Sequence, residues 1–157
     1  MDFELNVLTR VLVALCLSGI LGWEREAAGK SAGVRTHMLV GLGACLFVIL
    51  GELFVQRFDS GAHEQMRFDP IRVIEAVVTG VSFLGAGTIF VSRGKERVEG
   101  LTTAASILVT AAVGMVVGLQ YYLLACGITA MIFIVLHVLG WLKDKLTGPV
   151  DTPPKET

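Results

Sequence analysis

The residues best equipped for chemistry are few, and they sit at the edges of apolar runs. Glu24, Arg25 and Glu26 open a charged, glycine-bearing stretch that reaches from Gly22 to His37. Carboxylate oxygens there can meet a cation while Arg25 and Arg35 hold them by charge-assisted hydrogen bonds. Gly29-Lys30-Ser31 invites a phosphate-loop reading. That motif needs a glycine five residues earlier, where this chain has Glu24, and it needs a preceding strand, so nucleotide binding is rejected. On spacing alone a solvated basic loop is the simpler account of the stretch. Asp69-Pro70 has the form of a helix start, with the acid as N-cap and the proline in the first turn. Beyond it, Glu75, Thr79 and Ser82 fall on one helical face. Glu52, Asp69 and Glu75 suit an acidic cation entry, or alternatively Glu52 and Glu75 pair with Arg10, Arg57 or Arg72. Glu24, Glu26, Asp69 and Glu75 are therefore the candidate metal ligands.

A second pattern is built from small residues. Thr102, Ser106, Thr110, Gly114 and Gly118 recur every fourth position, a stripe that lets membrane helices approach closely and fits packing better than a substrate path. His37, His63 and His137 show no paired metal spacing and read as ordinary interface or loop histidines. Cys16, Cys45 and Cys126 lie in apolar runs without a CxxC and read as small buried hydrophobes. No nucleophile–base arrangement or acid pair is present, so an enzyme is not expected, nor an organic cofactor.

The elements that must position these groups follow from composition. Of 157 residues, 54% are hydrophobic and 17% charged, with a mean hydropathy of +0.70. A soluble domain carries roughly 25% charged residues, so the chain reads as a polytopic membrane protein. A net charge of −1 excludes a nucleic-acid binder that works through a basic field. Apolar stretches at Leu5–Gly22, Met38–Val55, Ile71–Val91, Leu101–Leu119 and Tyr121–Gly140 each approach the ~20 residues of a bilayer crossing. No charged side chain occurs between Leu101 and Leu142, and so long a stretch must fold back as a hairpin near Gly118–Tyr122. The expected fold is an all-α bundle of five transmembrane helices, one domain over residues 1–142 with a short tail at 143–157. Nine of the thirteen Lys and Arg residues fall on one side of that arrangement, which places the N-terminus outside and the C-terminus in the cytoplasm. Trp23 and Trp141 then sit at the inner interface. A cleaved signal peptide is not expected, because the chain opens Met1-Asp2-Phe3-Glu4. In this topology the first loop, Gly85–Thr88 and Thr102–Thr103 share the cytoplasmic face.

Three stretches carry a resemblance: GWEREAAGKSAGVRTHMLVGLGA (Gly22–Ala44), DPIRVIEAVVTGVSFLGAGTI (Asp69–Ile89) and GLTTAASILVTAAVG (Gly100–Gly114). In order and spacing the chain resembles the MgtC/SapB family of bacterial inner-membrane proteins. The resemblance implies a five-helix multi-pass protein of magnesium homeostasis that binds or moves Mg2+. It implies as an alternative a non-transporting regulator that docks other membrane proteins, such as ATP synthase or a sensor. The family pattern falls on Glu24, Arg25, Glu26, Gly29, Lys30, Arg35, Thr36 and His37, then on Asp69, Pro70, Arg72, Gly80, Gly85, Gly87, Thr102 and Thr103. Leu108 stands where relatives often carry Trp. The short tail looks like the SapB-like form, without the soluble C-terminal domain many relatives append. A homo-oligomer, in particular a dimer, is expected, because five short helices enclose little interior.

Overall fold

A computed structural model describes residues 2–58, 69–91 and 98–147. It consists of five helices, α1 (Asp2–Ala27), α2 (Val34–Phe58), α3 (Pro70–Ala86), α4 (Leu101–Gly118) and α5 (Tyr122–Thr147), with a short antiparallel pair, β1 (Phe90–Val91) and β2 (Val98–Glu99), between α3 and α4. The expected all-α membrane bundle is therefore the observed architecture. Three helical segments are long and apolar enough to cross a bilayer, Phe3–Ala27, Val34–Arg57 and Leu101–Gly118. The apolar part of α5, Tyr122–Val138, and α3 are shorter, at the lower limit for a span. Arg67, Arg93, Lys95, Arg97, Lys155, His63 and the Trp141 side chain lie outside the described residues.

Element boundaries depart from the hydropathy reading for physical reasons. The charges at Glu24–Glu26 end the apolar run but not the helix, since Glu, Arg and Ala are good helix formers. Helix α2 likewise starts at Val34, ahead of the apolar run at Met38. The sixteen-residue loop thus shrinks to a turn over Ala28–Gly33. Gly29 sits at φ +64, the amide of Lys30 donates to Arg25 O, and that of Gly29 donates to Glu26 O. This is a Schellman cap, and it accounts for the glycine in Gly29-Lys30-Ser31 without any phosphate. Helix α3 stops at Ala86, not at Val91. Thr88 closes it by donating its hydroxyl and amide to Gly85 O, and the β-branched and aromatic residues that follow enter the strand pair. At its start the expectation holds, with Asp69 Oδ1 accepting the Ile71 amide at 3.0 Å and Pro70 in the first turn.

Helix α2 is sandwiched between α1 and α4. A Cβ added to Gly41 would lie 1.8 Å from Ser18 Oγ of α1, and one added to Gly114 of α4 would lie 2.2 Å from Gly41 O. Both positions require glycine, because backbone and side chain from the neighbours already fill the space. Val77 and Val81 of α3 join Ile107, Ala111 and Ala44 in one apolar cluster, and Ala14, Cys45, Ile49, Val117 and Ala125 form another. Helices α4 and α5 fold back as expected. The turn uses Gln120 at φ +66, with the Tyr121 amide on Val116 O and the Gln120 amide on Val117 O. Large apolar side chains cover the outside, Leu123 being 90% exposed, as suits a surface whose solvent is lipid. The same inversion corrects the cysteines. Cys45 is buried, whereas Cys16 and Cys126 face outward, because an apolar thiol costs nothing against hydrocarbon.

Candidate functional site

The buried polar residues of α1, α2 and α4 form a file along α1 and its neighbours. At one end Arg10 of α1, 3% exposed, donates to Glu52 Oε2 of α2 at 2.5 Å. Its Nε donates to Asn6 Oδ1 at 2.6 Å, and the same Nη1 that meets Glu52 also donates to the Gly118 carbonyl at the end of α4 at 3.1 Å. The guanidinium thereby joins α1, α2 and α4 and satisfies one of the carbonyls that a helix C-terminus leaves open. Of the two expectations for Glu52, pairing with Arg10 is the one observed.

The middle of the file holds Ser18, Thr110, Ser106 and His37, all buried. Thr110 donates back to Ser106 O at 2.7 Å. Ser18 Oγ has no hydrogen-bond partner among the described residues and occupies the space that the missing side chain of Gly41 leaves. His37 is fully buried on the first turn of α2, not an interface or loop histidine. Its Nδ1 lies 2.9 Å from Gly33 O and its Nε2 lies 3.1 Å from Ser106 Oγ. A carbonyl only accepts, so Nδ1 carries a proton. Ser106 Oγ stands between His37 Nε2 and Thr103 O, and donates to the latter at 2.8 Å.

At the far end Glu24 and Arg25 are both buried and ion-paired with each other, and Arg25 also reaches Leu136 O of α5 at 3.3 Å. His137 Nδ1 stands 4.0 Å from Glu24 Oε1, and its ring stacks on Phe133 with centroids 5.6 Å apart. Glu26 turns away from this pair. Its Oε2 accepts the Val34 amide at 2.9 Å, placing a carboxylate at the positive N-terminus of α2.

The structure thus redistributes the candidate ligands. Glu24 is held by Arg25, while Glu26 and Asp69 serve helix starts and Glu75 stands exposed on α3. Among the described residues no three His, Cys, Asp or Glu side chains come together as a metal site. Of the inner-face cluster, His37 and Thr103 meet through Ser106, and Gly85 lets α3 approach Ala104 of α4. Gly87 caps α3, while Lys30, Arg35, Thr36 and Thr102 are exposed. Glu24 and Glu26 make no contact with Thr102 or Thr103 through their hydrogen bonds.

Within the packing stripe, Ser106, Thr110, Gly114 and Gly118 are buried but Thr102 is not. A four-residue step overshoots a 3.6-residue turn by about 40°, so Thr102 has rotated off the face by about 160°, and Thr103 takes its place. The stripe is spent against α2 within this chain, with Gly114 on Gly41 and Gly118 on Val48 and Cys45. It is therefore not free to dock another subunit. The residue that sequence reasoning passed over is Ser18, whose only signal was a hydroxyl beside a glycine in an apolar helix. One apolar groove of about 330 Å³ opens between α1 and α5, lined by Leu17, Ile20, Cys126, Thr129, Phe133 and Ile134. Its lining suits hydrocarbon rather than a cation.

Comparison with known proteins agrees with this helical architecture. The family model described as the MgtC family matches residues 11–145. The candidate magnesium transporter YhiD of Escherichia coli K12 is 42% identical over 137 residues, covering 87% of this chain and 62% of that protein. Protein SrpB of Synechococcus elongatus is 35% identical over 142 residues, covering 84% of this chain and 72% of the relative. Protein MgtC of Brucella abortus is 39% identical over 124 residues, covering 78% of this chain and 45% of that protein. The chain thus spans about three fifths of the length of YhiD and less than half of the Brucella protein. No solved structure matches it. The family model covers most of the chain, relatives more than 30% identical span most of it, and the helices are apolar enough for a bilayer, so the chain belongs to the MgtC family of membrane proteins.

Proposed function

We propose that this protein serves magnesium homeostasis at the bacterial inner membrane by binding or moving Mg2+, with no bond chemistry of its own. The observation that carries this reading is the buried polar file. Ionisable and hydroxyl side chains inside membrane helices are costly, and where they line a bundle interior they mark ion paths. Here Glu52 and Glu24 stand at its two ends, each neutralised by an arginine. Mg2+ keeps several waters and needs only one or two carboxylates, so displacing Arg25 from Glu24, or Arg10 from Glu52, frees a sufficient ligand. The name of the E. coli relative supports the choice of ion. In the topology argued from the basic residues, Glu24 lies towards the cytoplasm and Glu52 towards the outside.

Purified protein in liposomes tests this. Mg2+ uptake or binding that falls at least about tenfold in Glu24→Gln and in Glu52→Gln is the expected result. Absence of both uptake and binding in the wild type overturns it. A second reading, a regulator that docks other membrane proteins, draws on the tight packing at the centre of the file. There α1, α2 and α4 approach so closely that a Cβ on Gly41 would meet Ser18 Oγ and one on Gly114 would meet the Gly41 carbonyl. Under that reading the liposomes show no flux, and a second membrane protein co-purifies in a magnesium-dependent way.

A further inference from the structure

The outward face of α3 differs from the rest of the bundle's outer surface. Val77, Val81 and Gly85 turn inward. At about 100° per residue, Arg72, Glu75 and Thr79 fall on the opposite side, and all three are exposed. Away from the helix ends, the outward side chains of the other helices are largely apolar, such as Leu12 and Leu123. Neither the Arg72 nor the Glu75 side chain makes a hydrogen bond or ion pair among the described residues. Glu75 stands five residues into the helix, about 8 Å along its axis from Pro70. An ionisable side chain at such depth normally faces the bundle interior and pairs there, and this one faces out, as does Arg72 about one turn before it. Gly80 adds a second observation. A Cβ built on it meets nothing within 4 Å, so the backbone surface beside Ala76 and Gly80 is open. Small residues four apart are what lets another helix come close in a membrane.

We propose that a second copy of this chain covers this face, α3 against α3 across a two-fold axis, with Arg72 of each copy paired to Glu75 of the other. The argument for a second copy is charge complementarity. The face carries one cation and one anion three residues apart, about 4.5 Å along the axis and within reach of an arginine side chain. A two-fold operation brings each charge to its opposite twice over, so the patch is its own complement, as an isologous interface requires. Thr79 and the open strip at Gly80 lie on the same side and complete the contact.

The full chain in lipid bilayers tests this by dilution-dependent energy transfer between labelled copies. Arg72→Glu and Glu75→Arg each leave a face of one sign, and self-association is expected to weaken at least about tenfold. Mixing these two variants is expected to restore association as a heterodimer, and the double exchange in one chain to restore the homodimer. As an independent check, Thr79→Cys, with Cys16 and Cys126 replaced by Ala, is expected to form an oxidant-dependent dimer, and Leu123→Cys in the same background is not. A monomeric wild type, single variants that associate like wild type, a mixture that fails to associate, or cross-linking at Leu123→Cys in preference to Thr79→Cys overturns the proposal.

Discussion

Arg10 and Arg25 are both buried guanidiniums on α1, each beside a glutamate, about 22 Å apart along the helix axis. Arg10 spends its donors on three elements, reaching Glu52 across to α2, the Gly118 carbonyl at the end of α4 and Asn6 on its own helix. Arg25 pairs with its immediate neighbour in sequence, Glu24, and sends one further donor to α5. The same two side-chain types therefore do different work. The first pair is a cross-link between helices that are distant in sequence. The second is chiefly a local neutralisation, which keeps a carboxylate buried at the helix end and adds one contact to α5. The two pairs therefore differ in what they leave behind when broken, a carboxylate 37% exposed at Glu52 and a buried one at Glu24.

That contrast can be broken most forcefully at the second pair. Arg25→Leu leaves the buried carboxylate of Glu24 uncompensated, and a loss of about 3–5 kcal/mol in unfolding free energy is expected, read by denaturant titration in detergent micelles. Arg10→Leu should cost less, about 1–3 kcal/mol, because Glu52 is 37% exposed and can be solvated, although the α4 terminus loses its donor. Equal losses would erase the distinction drawn here. A double-mutant cycle sharpens the point, since Arg10 and Glu52 should show a coupling of about 0.5–3 kcal/mol. Between the two ends, His37→Ala removes the link to Ser106 and is expected to cost about 1–3 kcal/mol in the same assay. The smallest effect belongs to Ser18→Ala. Its hydroxyl has no partner among the described residues to lose, so stability should change by less than about 1 kcal/mol, and a larger drop would mean the hydroxyl is satisfied.

Much of the fold was readable because membrane solvation writes itself into composition. The apolar runs located all five helices, and the uncharged stretch from Leu101 to Leu142 required the α4–α5 turn. What hydropathy does not encode is where a helix stops. Glu24, Arg25 and Glu26 look like loop residues by polarity, yet they continue α1, and Gly29 ends it through its left-handed backbone. The strand pair at Phe90–Glu99 escaped because two-residue strands leave no period to detect. For the site, the acidic residues were singled out as cation ligands. Of their partners, the Arg10–Glu52 pair was among those expected, while Arg25 for Glu24 and the Val34 amide for Glu26 were not, because pairing depends on which turn faces which. Thr102 and Thr103 differ by one position and 100° of rotation, enough to exchange exposure for burial. The small-residue stripe was rightly assigned to packing, and only the identity of its partner, α2, waited for three dimensions.

The cancellation of charge at both ends of α1 bears on how the protein responds to voltage. A bare elementary charge carried across a membrane exchanges about 2.3 kcal/mol with each 100 mV of potential. A guanidinium locked to a carboxylate a few ångströms away is a short dipole instead, and it meets only the fraction of the field that falls across that separation. Inside this bundle the described arginines are held in such dipoles. The resting energised membrane therefore pulls little on these two buried arginines, and each becomes electrically sensitive only once its pair is parted.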